Sequence, residues 1–453
     1  MRYWTHLITL DSSGTHVLVR RSRAGWLLPY FTLEHRGRVS LEVKDRLAKC
    51  GLAVVLIHEA RIPADSTPDD STEVDVHWYA LAQATGEGSV HDDLQLASID
   101  DLAPGAAVLP VQHRGLRLAL DRFTNPVAPF DSRAGVDRVH QWVADHVAAA
   151  GRTSTHPPIL FRFQRYTRVV AYPTDGRSAY YKGGSPAIDA EARLTQALHG
   201  LAPECFAGTL AYEPAGDWLQ NAVTGRFLPP KELTVSHAEA IGRTLAQIQQ
   251  KAAASDAVRT ALDGRNIDES RLVQAVGRVA RLVQQRSPET IDGLPSFAEQ
   301  IEETVSASYR RLLALDLPST WIHADLWFPN ALFDADKVTF IDLENGFYGP
   351  APLPLWRLGA TFVEHATDGS RLDAAATDAF VESWRDLCAA ATMRAGLLEL
   401  PVVGRAFYQL LLLERLERHA LEEDRPEFDV TASAVLGAVS HELYKLAVAP
   451  ACH

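Results

Sequence analysis

One short segment of this 453-residue chain restricts its possible folds more than any other feature. Residues 321–333 read WIHADLWFPNALF, in which a polar loop carrying Asp325 and Asn330 separates two apolar runs. The two polar residues are five positions apart. A carboxylate at Asp325 can accept the proton of a substrate hydroxyl and align its oxygen, and the amide oxygen of Asn330 can bind Mg²⁺.

A second acidic segment follows directly. Residues 337–344 read KVTFIDLE, an apolar strand that ends with Asp342 and Glu344 at alternate positions. Alternation places both carboxylates on the same side of an extended chain, where they suit a hard divalent cation that bridges phosphate oxygens. A strand ending in Asp is common, because Asp also caps and turns chains. The order and spacing of the two segments together favour phosphoryl transfer.

Together the two segments resemble those of the aminoglycoside phosphotransferase and choline kinase-like family, whose loop reads HxDxxxxN and whose metal segment reads IDxE or IDxD. The resemblance implies that Asp325 is the catalytic base and that Asn330, Asp342 and Glu344 bind the metal. His323 matches the loop histidine of the catalytic site, where we expect it to order the loop by hydrogen bonding rather than to shuttle a proton.

Further positions match the nucleotide site of this family. Lys182 ends a predicted strand where the family has its nucleotide lysine, and Glu191 lies on the next predicted helix as the partner of that lysine. The cation of Lys182 would bind the α- and β-phosphates of ATP. Residues 216–225, GDWLQNAVTG, are similar to the family's hinge, so Gln220 and Ala222 are candidates for contacts with the adenine.

Two segments and one single residue depart from the family pattern. Residues 164–167, QRYT, contain no glycine, so any binding of phosphate there relies on Arg or Thr side chains more than on backbone N–H groups. Residues 346–359 lack the Asp that many relatives carry, which indicates a different substrate loop. Gln249 stands where the family often has a His, and we assign it packing or support of the loop.

The resemblance extends from about residue 136 to the C-terminus and implies an α+β, bilobal protein-kinase-like fold. Residues 124–150 would form a linker and a helix, and residues 151–225 the small β-rich N-lobe with its hinge. Residues 226–453 would form the large helical C-lobe with the catalytic and metal loops. Alternating apolar runs on both sides of an Asp-Gly turn predict a hairpin in the N-lobe.

Residues 1–123 resemble a small α/β Nudix-type domain in outline, with several predicted strands and one helix around residues 40–50. A Nudix hydrolase needs a Glu-rich helix that binds metal, but Ala48 and Lys49 occupy the two glutamate positions. Lys cannot replace a carboxylate as a ligand of Mg²⁺. We therefore expect a degenerate, non-catalytic domain that binds or supports other parts of the protein.

Composition excludes several other classes of function. The formal net charge of −13 disfavours nucleic-acid binding, which depends on clustered Lys and Arg. No apolar run reaches the roughly 20 residues of a membrane span, and the four cysteines have neither CxxC pairing nor metal-site spacing. We expect a cytoplasmic protein without membrane or nucleic-acid partners, in which an anionic cofactor needs a local positive site.

The leading prediction is an ATP- and Mg²⁺-dependent kinase that phosphorylates a hydroxyl group of a small molecule. A Ser/Thr kinase acting on a peptide or protein, with the N-terminal domain holding the substrate, is the enzymatic alternative. A non-catalytic, nucleotide-binding pseudokinase is disfavoured because Asp325, Asn330 and Asp342 are all present. The sequence leaves the acceptor open, since its specificity depends on the variable helices after Gly225 and near Trp356.

Overall fold

The computed structural model describes residues 2–11, 13–33, 54–61, 75–84, 94–125, 132–156, 158–164, 167–183, 186–214, 216–286 and 297–422. The chain forms two compact units. The first unit comprises the chain up to Asp189 together with Thr209–Ala222. The second comprises Ala190–Gly208 and the chain from Val223 onward.

A seven-stranded sheet opens the first unit. Its strands are β1 (Arg2–Leu10), β2 (His16–Ser22), β3 (Gly25–Leu27), β4 (Tyr30–Leu33), β5 (Val54–Arg61), β6 (Asp75–Ala84) and β7 (Gln95–Ser98). The order is β3-β2-β1-β6-β5, with β4 also on β1 and β7 on β2. Strand β1 pairs in parallel with β6 and antiparallel with β2 and β4. The strands predicted in this region are confirmed.

Both faces of this sheet are buried, which explains why its strands are apolar at successive positions. On one face, Ile8 and Val17 pack in a core with helix α1 (Pro110–Thr124). On the other face, Leu7 and Leu18 belong to a second core. The helix predicted around residues 40–50, including Ala48 and Lys49, lies outside the described residues, and the Nudix-like interpretation stays a prediction.

A five-stranded antiparallel sheet forms the rest of the first unit. Its strands are β8 (Ile159–Gln164), β9 (Thr167–Tyr172), β10 (Ala179–Gly183), β11 (Thr209–Glu213) and β12 (Asp217–Asn221), in the order β11-β12-β10-β9-β8. The predicted hairpin between β9 and β10 and the predicted strand pair after it are confirmed. Helix α2 (Arg133–Ala149) precedes the sheet, and the hydroxyl of Ser132 caps it by accepting from the Gly135 N–H.

The two sheets of the first unit share one hydrophobic core through α2. Val139, Val143 and Val147 of α2 recur at helical spacing and pack in the same cluster as Leu18 of the N-terminal sheet and Leu219 of β12. The predicted division into residues 1–123, a linker and an N-lobe stays a prediction. The continuous core implies that the N-terminal sheet stabilises the five-stranded sheet by packing.

The shared core leads to a prediction about the stability of the folded chain. Replacing Leu18, which is 1% exposed, by Ala is expected to lower the free energy of unfolding by about 2–5 kcal/mol, because a buried leucine is replaced by a cavity. Urea unfolding followed by tryptophan fluorescence measures the change. Leu96→Ala is the matched control, because Leu96 is 48% exposed on the neighbouring strand β7. Equal effects of the two substitutions would contradict the shared core.

The second unit is mainly helical, as predicted for the chain after residue 237. Its helices are the larger part of α3 (Pro186–Leu201), then α4 (Val235–Ala253), α5 (Asp256–Ala261), α6 (Glu269–Arg286), α7 (Phe297–Leu313), α8 (Leu353–His365), α9 (Gly369–Ser383), α10 (Ala390–Leu397) and α11 (Leu400–Glu422). Within the described ranges, no one helix has the length and hydropathy to cross a membrane. Only α10 with the first part of α11, bent by 53°, meets that criterion as a pair.

Helix α4 is central to the core of the second unit. It begins with a capping box in which Thr234 and His237 satisfy each other's backbone N–H groups. Ile241 and Leu245 lie on its buried face. Gly242 lets α9 approach closely, since a Cβ atom there would lie 2.0 Å from the carbonyl oxygen of Ala376. The close crossing packs α4 firmly against α9. Helix α4 also contacts the strand that precedes the loop of Asp325 and Asn330.

Candidate active site

Two antiparallel strand pairs interrupt the helices of the second unit and carry the two acidic segments. Strand β13 (Ser319–His323) pairs with β16 (Gly346–Pro350), and β14 (Ala331–Asp334) pairs with β15 (Lys337–Phe340). The catalytic loop connects β13 to β14, and the metal segment follows β15. The polar residues of both segments therefore lie at strand ends or in the turns that follow them.

Asn330 joins the catalytic loop to the metal segment. Its side-chain amide donates to the carbonyl of Asp325 at 3.0 Å, and its own carbonyl accepts from the Ile341 N–H at 3.0 Å. The residue is only 7% exposed. Since the amide nitrogen is the donor in this contact, the amide oxygen of Asn330 can act as an acceptor or as a metal ligand.

His323, at the end of β13, also links the catalytic loop to the metal segment. It is buried, and its Nε2 lies 3.1 Å from the carbonyl of Ile341. A carbonyl can only accept, so Nε2 carries the proton in this contact. Burial lowers the pKa of His323, and the neighbouring carboxylates of Asp325 and Asp342 oppose that shift without overcoming it. A neutral imidazole that bonds the backbone supports the predicted role in ordering the loop.

Three carboxylates, two of them from the metal segment, lie close together. Glu191, Asp342 and Glu344 each offer an oxygen, and these oxygens lie within 4.8 Å of one another. Glu191 is buried, and its Oε1 accepts from the Leu343 N–H at 3.1 Å. Hard oxygen ligands are those that Mg²⁺ prefers, so the donor set fits that ion.

The backbone at Asp342 has an unusual conformation. Its φ angle is 63°, in the left-handed region that L residues seldom adopt. Asp tolerates this region better than most residues because its short side chain can hydrogen-bond locally. A non-glycine residue held in such a conformation is a frequent feature of functional sites. The conformation supports a functional role for Asp342, which the sequence predicts as the principal metal ligand.

The predicted nucleotide lysine lies in the first unit. Lys182 is buried on β10, opposite Val169 of β9 and Trp218 of β12. Its predicted partner Glu191 belongs to the second unit, so their ion pair stays a prediction. Sequence reasoning did not place Glu191 with the metal ligands.

The predicted hinge residues lie at the end of β12. Gln220 is inside the strand, opposite Tyr180 of β10. Ala222 follows the strand, and its N–H donates to the carbonyl of Ser178 at 2.7 Å. That N–H is therefore used within the sheet. The boundary between the two compact units falls directly after Ala222, and the adenine contacts stay a prediction.

Gln249 supports the catalytic segment from α4. Its side-chain amide donates to the carbonyl of Trp321 at 3.0 Å and to that of Ala351 at 2.8 Å. The Thr320 hydroxyl in turn donates to the carbonyl of Gln249 at 2.6 Å. These three bonds attach β13 and the end of β16 to the helix, in agreement with the loop support predicted for Gln249.

Asp325 borders a pocket of about 110 Å³. Arg357 of α8 stands beside it, with Nε 3.5 Å from Asp325 Oδ1, and the carboxylate of Asp325 is 27% exposed. The pocket is lined by Ala324, Asp325, Trp327, Asn345, Arg357, Tyr408, Leu411 and Leu412. Sequence reasoning missed Arg357 and Tyr408. The one signal for Arg357 was the departure of residues 346–359 from the family pattern.

Solved structures that resemble this chain include several small-molecule kinases. An aminoglycoside phosphotransferase, APH(2'')-Ib with ADP bound, matches at 10% identity and a TM-score of 0.47, over 69% of this chain and 98% of its own. The macrolide 2'-phosphotransferase MphH from Brachybacterium faecium matches at 18% identity and 0.38, over 62% and 96%. Choline kinase LicA from Streptococcus pneumoniae matches at 12% identity and 0.41, over 68% and 99%. No curated protein sequence matches the chain.

A family model gives the clearest relationship. Residues 175–389 match the model described as the phosphotransferase enzyme family. This range contains all the predicted site residues, from Lys182 to Glu344, as well as Arg357. Over residues 175–389 the chain is therefore similar to the phosphotransferase enzyme family.

Proposed function

We propose that this protein transfers the γ-phosphoryl group of ATP to a hydroxyl group of a small molecule. The observation that carries the proposal is the arrangement around the catalytic segment. Asp325 borders a pocket, and the carboxylates of Glu191, Asp342 and Glu344 cluster next to the following strand. His323 and the backbone carbonyl of Asn330 connect the two segments through hydrogen bonds with Ile341. We expect the reaction to take place in the cytoplasm, where ATP and Mg²⁺ are abundant.

In the proposed reaction, Asp325 aligns the acceptor hydroxyl and takes its proton. The hydroxyl oxygen forms a bond to the γ-phosphorus, while the bond from that phosphorus to the β,γ-bridging oxygen breaks. ADP leaves with the electron pair of the broken bond. Lys182 binds the α- and β-phosphates, and a bound Mg²⁺, held by Asn330 and the three clustered carboxylates, would neutralise charge on the phosphate oxygens.

Formation of ADP in the presence of acceptor libraries tests this proposal. We expect ADP release from the full-length protein to rise with a pool of small hydroxyl compounds, and a product to appear that is heavier by one phosphoryl group. A peptide library containing Ser and Thr serves as the parallel arm. Stimulation by peptides alone would favour a protein kinase, and no stimulation by either pool would contradict the proposed function.

A further inference from the structure

The pocket beside Asp325 has an unusual balance of charge for a site that holds a catalytic carboxylate. Among the described residues that line it, Asp325 is the only carboxylate and Arg357 the only cation. The two lie 3.5 Å apart, so the acidic residue is already offset by a guanidinium. Resting on the proposed function, we propose that the acceptor is a hydroxyl compound with a carboxylate group, and that Arg357 binds this carboxylate.

The guanidinium of Arg357 is able to make such a contact. The ion pair with Asp325 uses Nε, and the two terminal nitrogens can donate to a further group. The planar fork of Arg matches a carboxylate with two parallel hydrogen bonds, which fixes orientation as well as strength. A carboxylate held there lies next to Asp325, where the neighbouring hydroxyl would be activated.

Packing holds Arg357 on the pocket wall. The preceding residue, Trp356, packs against Gly404 of α11 so closely that a Cβ atom at position 404 would lie 2.3 Å from Trp356 Cγ. Trp356 also contacts the ring of Tyr408, with centroids 6.2 Å apart. Helices α8 and α11 are therefore fixed against each other at this point, and a side chain on such a rigid element is pre-organised for binding.

The remaining walls limit what else the acceptor can carry. Trp327, Tyr408, Leu411 and Leu412 supply aromatic and apolar surface, and Asn345 supplies a polar group. A polycation would meet Arg357 and find no second carboxylate among the described lining residues. A phosphate dianion would need a second cation, which the described walls also lack. A monoanion with an apolar or aromatic part matches the pocket best.

Binding of three matched probes to the full-length protein tests the inference. The probes are 3-phenyllactate, its neutral amide 3-phenyllactamide and the cationic amino alcohol phenylalaninol, each with a hydroxyl and a phenyl group. Calorimetry should show 3-phenyllactate binding about tenfold or more tightly than the amide, because a hydrogen bond to a charged group carries the difference. Phenylalaninol should bind more weakly than the amide.

Variants identify the residue that is responsible. Arg357→Gln should remove the preference for the acid over the amide, and Arg357→Lys, which keeps the charge without the fork, should retain part of it. Arg371→Gln removes an exposed arginine of α9 and should leave the preference unchanged. Absence of 3-phenyllactate binding, equal binding of acid and amide, or equal loss for all probes in Arg357→Gln would overturn the inference.

Turnover separates this inference from the proposed function. If the acid binds selectively through Arg357 but no hydroxyl compound yields ADP, the carboxylate site stands and the proposed function fails. If cationic compounds are phosphorylated faster than their acidic counterparts, the proposed function stands and the carboxylate inference fails.

Discussion

Replacing Asp325 by Asn is expected to lower turnover about 10²- to 10⁴-fold while ATP binds with nearly unchanged affinity. The amide has almost the same shape as the carboxylate but cannot take the hydroxyl proton. The loss is therefore felt in the transition state rather than in nucleotide binding. Initial rates of ADP formation give the turnover, and calorimetry gives the dissociation constant of ATP.

Asp334→Asn is the control for this substitution, because Asp334 is an exposed residue at the end of β14. It makes the same chemical change close to the catalytic loop and should leave both quantities unchanged. Wild-type turnover in Asp325→Asn would show that another group takes the proton, and the assignment of the catalytic loop would then be wrong.

Replacing Asp342 by Ala is expected to abolish Mg²⁺-dependent nucleotide binding, and turnover with it. The change removes one of three carboxylates whose oxygens lie within 4.8 Å of one another. It also places Ala in a left-handed backbone conformation at φ 63°, which costs an L residue about 1–2 kcal/mol. Calorimetry of ATP at increasing Mg²⁺ concentrations measures the effect.

Two further variants separate loss of the ligand from backbone strain. Asp342→Asn keeps an oxygen ligand and a residue that tolerates the left-handed region, so it should retain weak Mg²⁺-dependent binding. Asp336→Ala, at an exposed position before β15, should bind as the wild type does. Wild-type affinity of Asp342→Ala for Mg²⁺-ATP would remove Asp342 from the metal site.

The structural features formed by residues close together in the sequence were predicted best. The spacing of Asp325 and Asn330 indicated a loop between two strands, and the structure joins these residues by a hydrogen bond between the Asn330 side chain and the Asp325 carbonyl. Such features follow from local periodicity and from short-range bonds. The strands around Lys182 and the helices after residue 237 were predictable for the same reason.

Contacts between distant segments were not predictable. Glu191 comes from α3, far before the metal segment, and only the folded chain brings its carboxylate to the Leu343 N–H. Arg357 and Tyr408 line one pocket from two different helices, and no spacing in the sequence signals this arrangement. The shared core around Val143 was hidden likewise, since periodicity reveals an apolar helix face but does not identify the sheets that pack on it.

Transfer of an isotopically labelled phosphoryl group tests the central claim most directly. The full-length protein is incubated with Mg²⁺ and ATP labelled with ¹⁸O at the γ-phosphoryl group, together with a pool of small hydroxyl compounds. Mass spectrometry should then reveal a labelled phosphomonoester that keeps the acceptor's own oxygen, and this product should disappear with Asp325→Asn. Label found solely in inorganic phosphate, or in a small-molecule product that Asp325→Asn forms equally fast, would contradict the account.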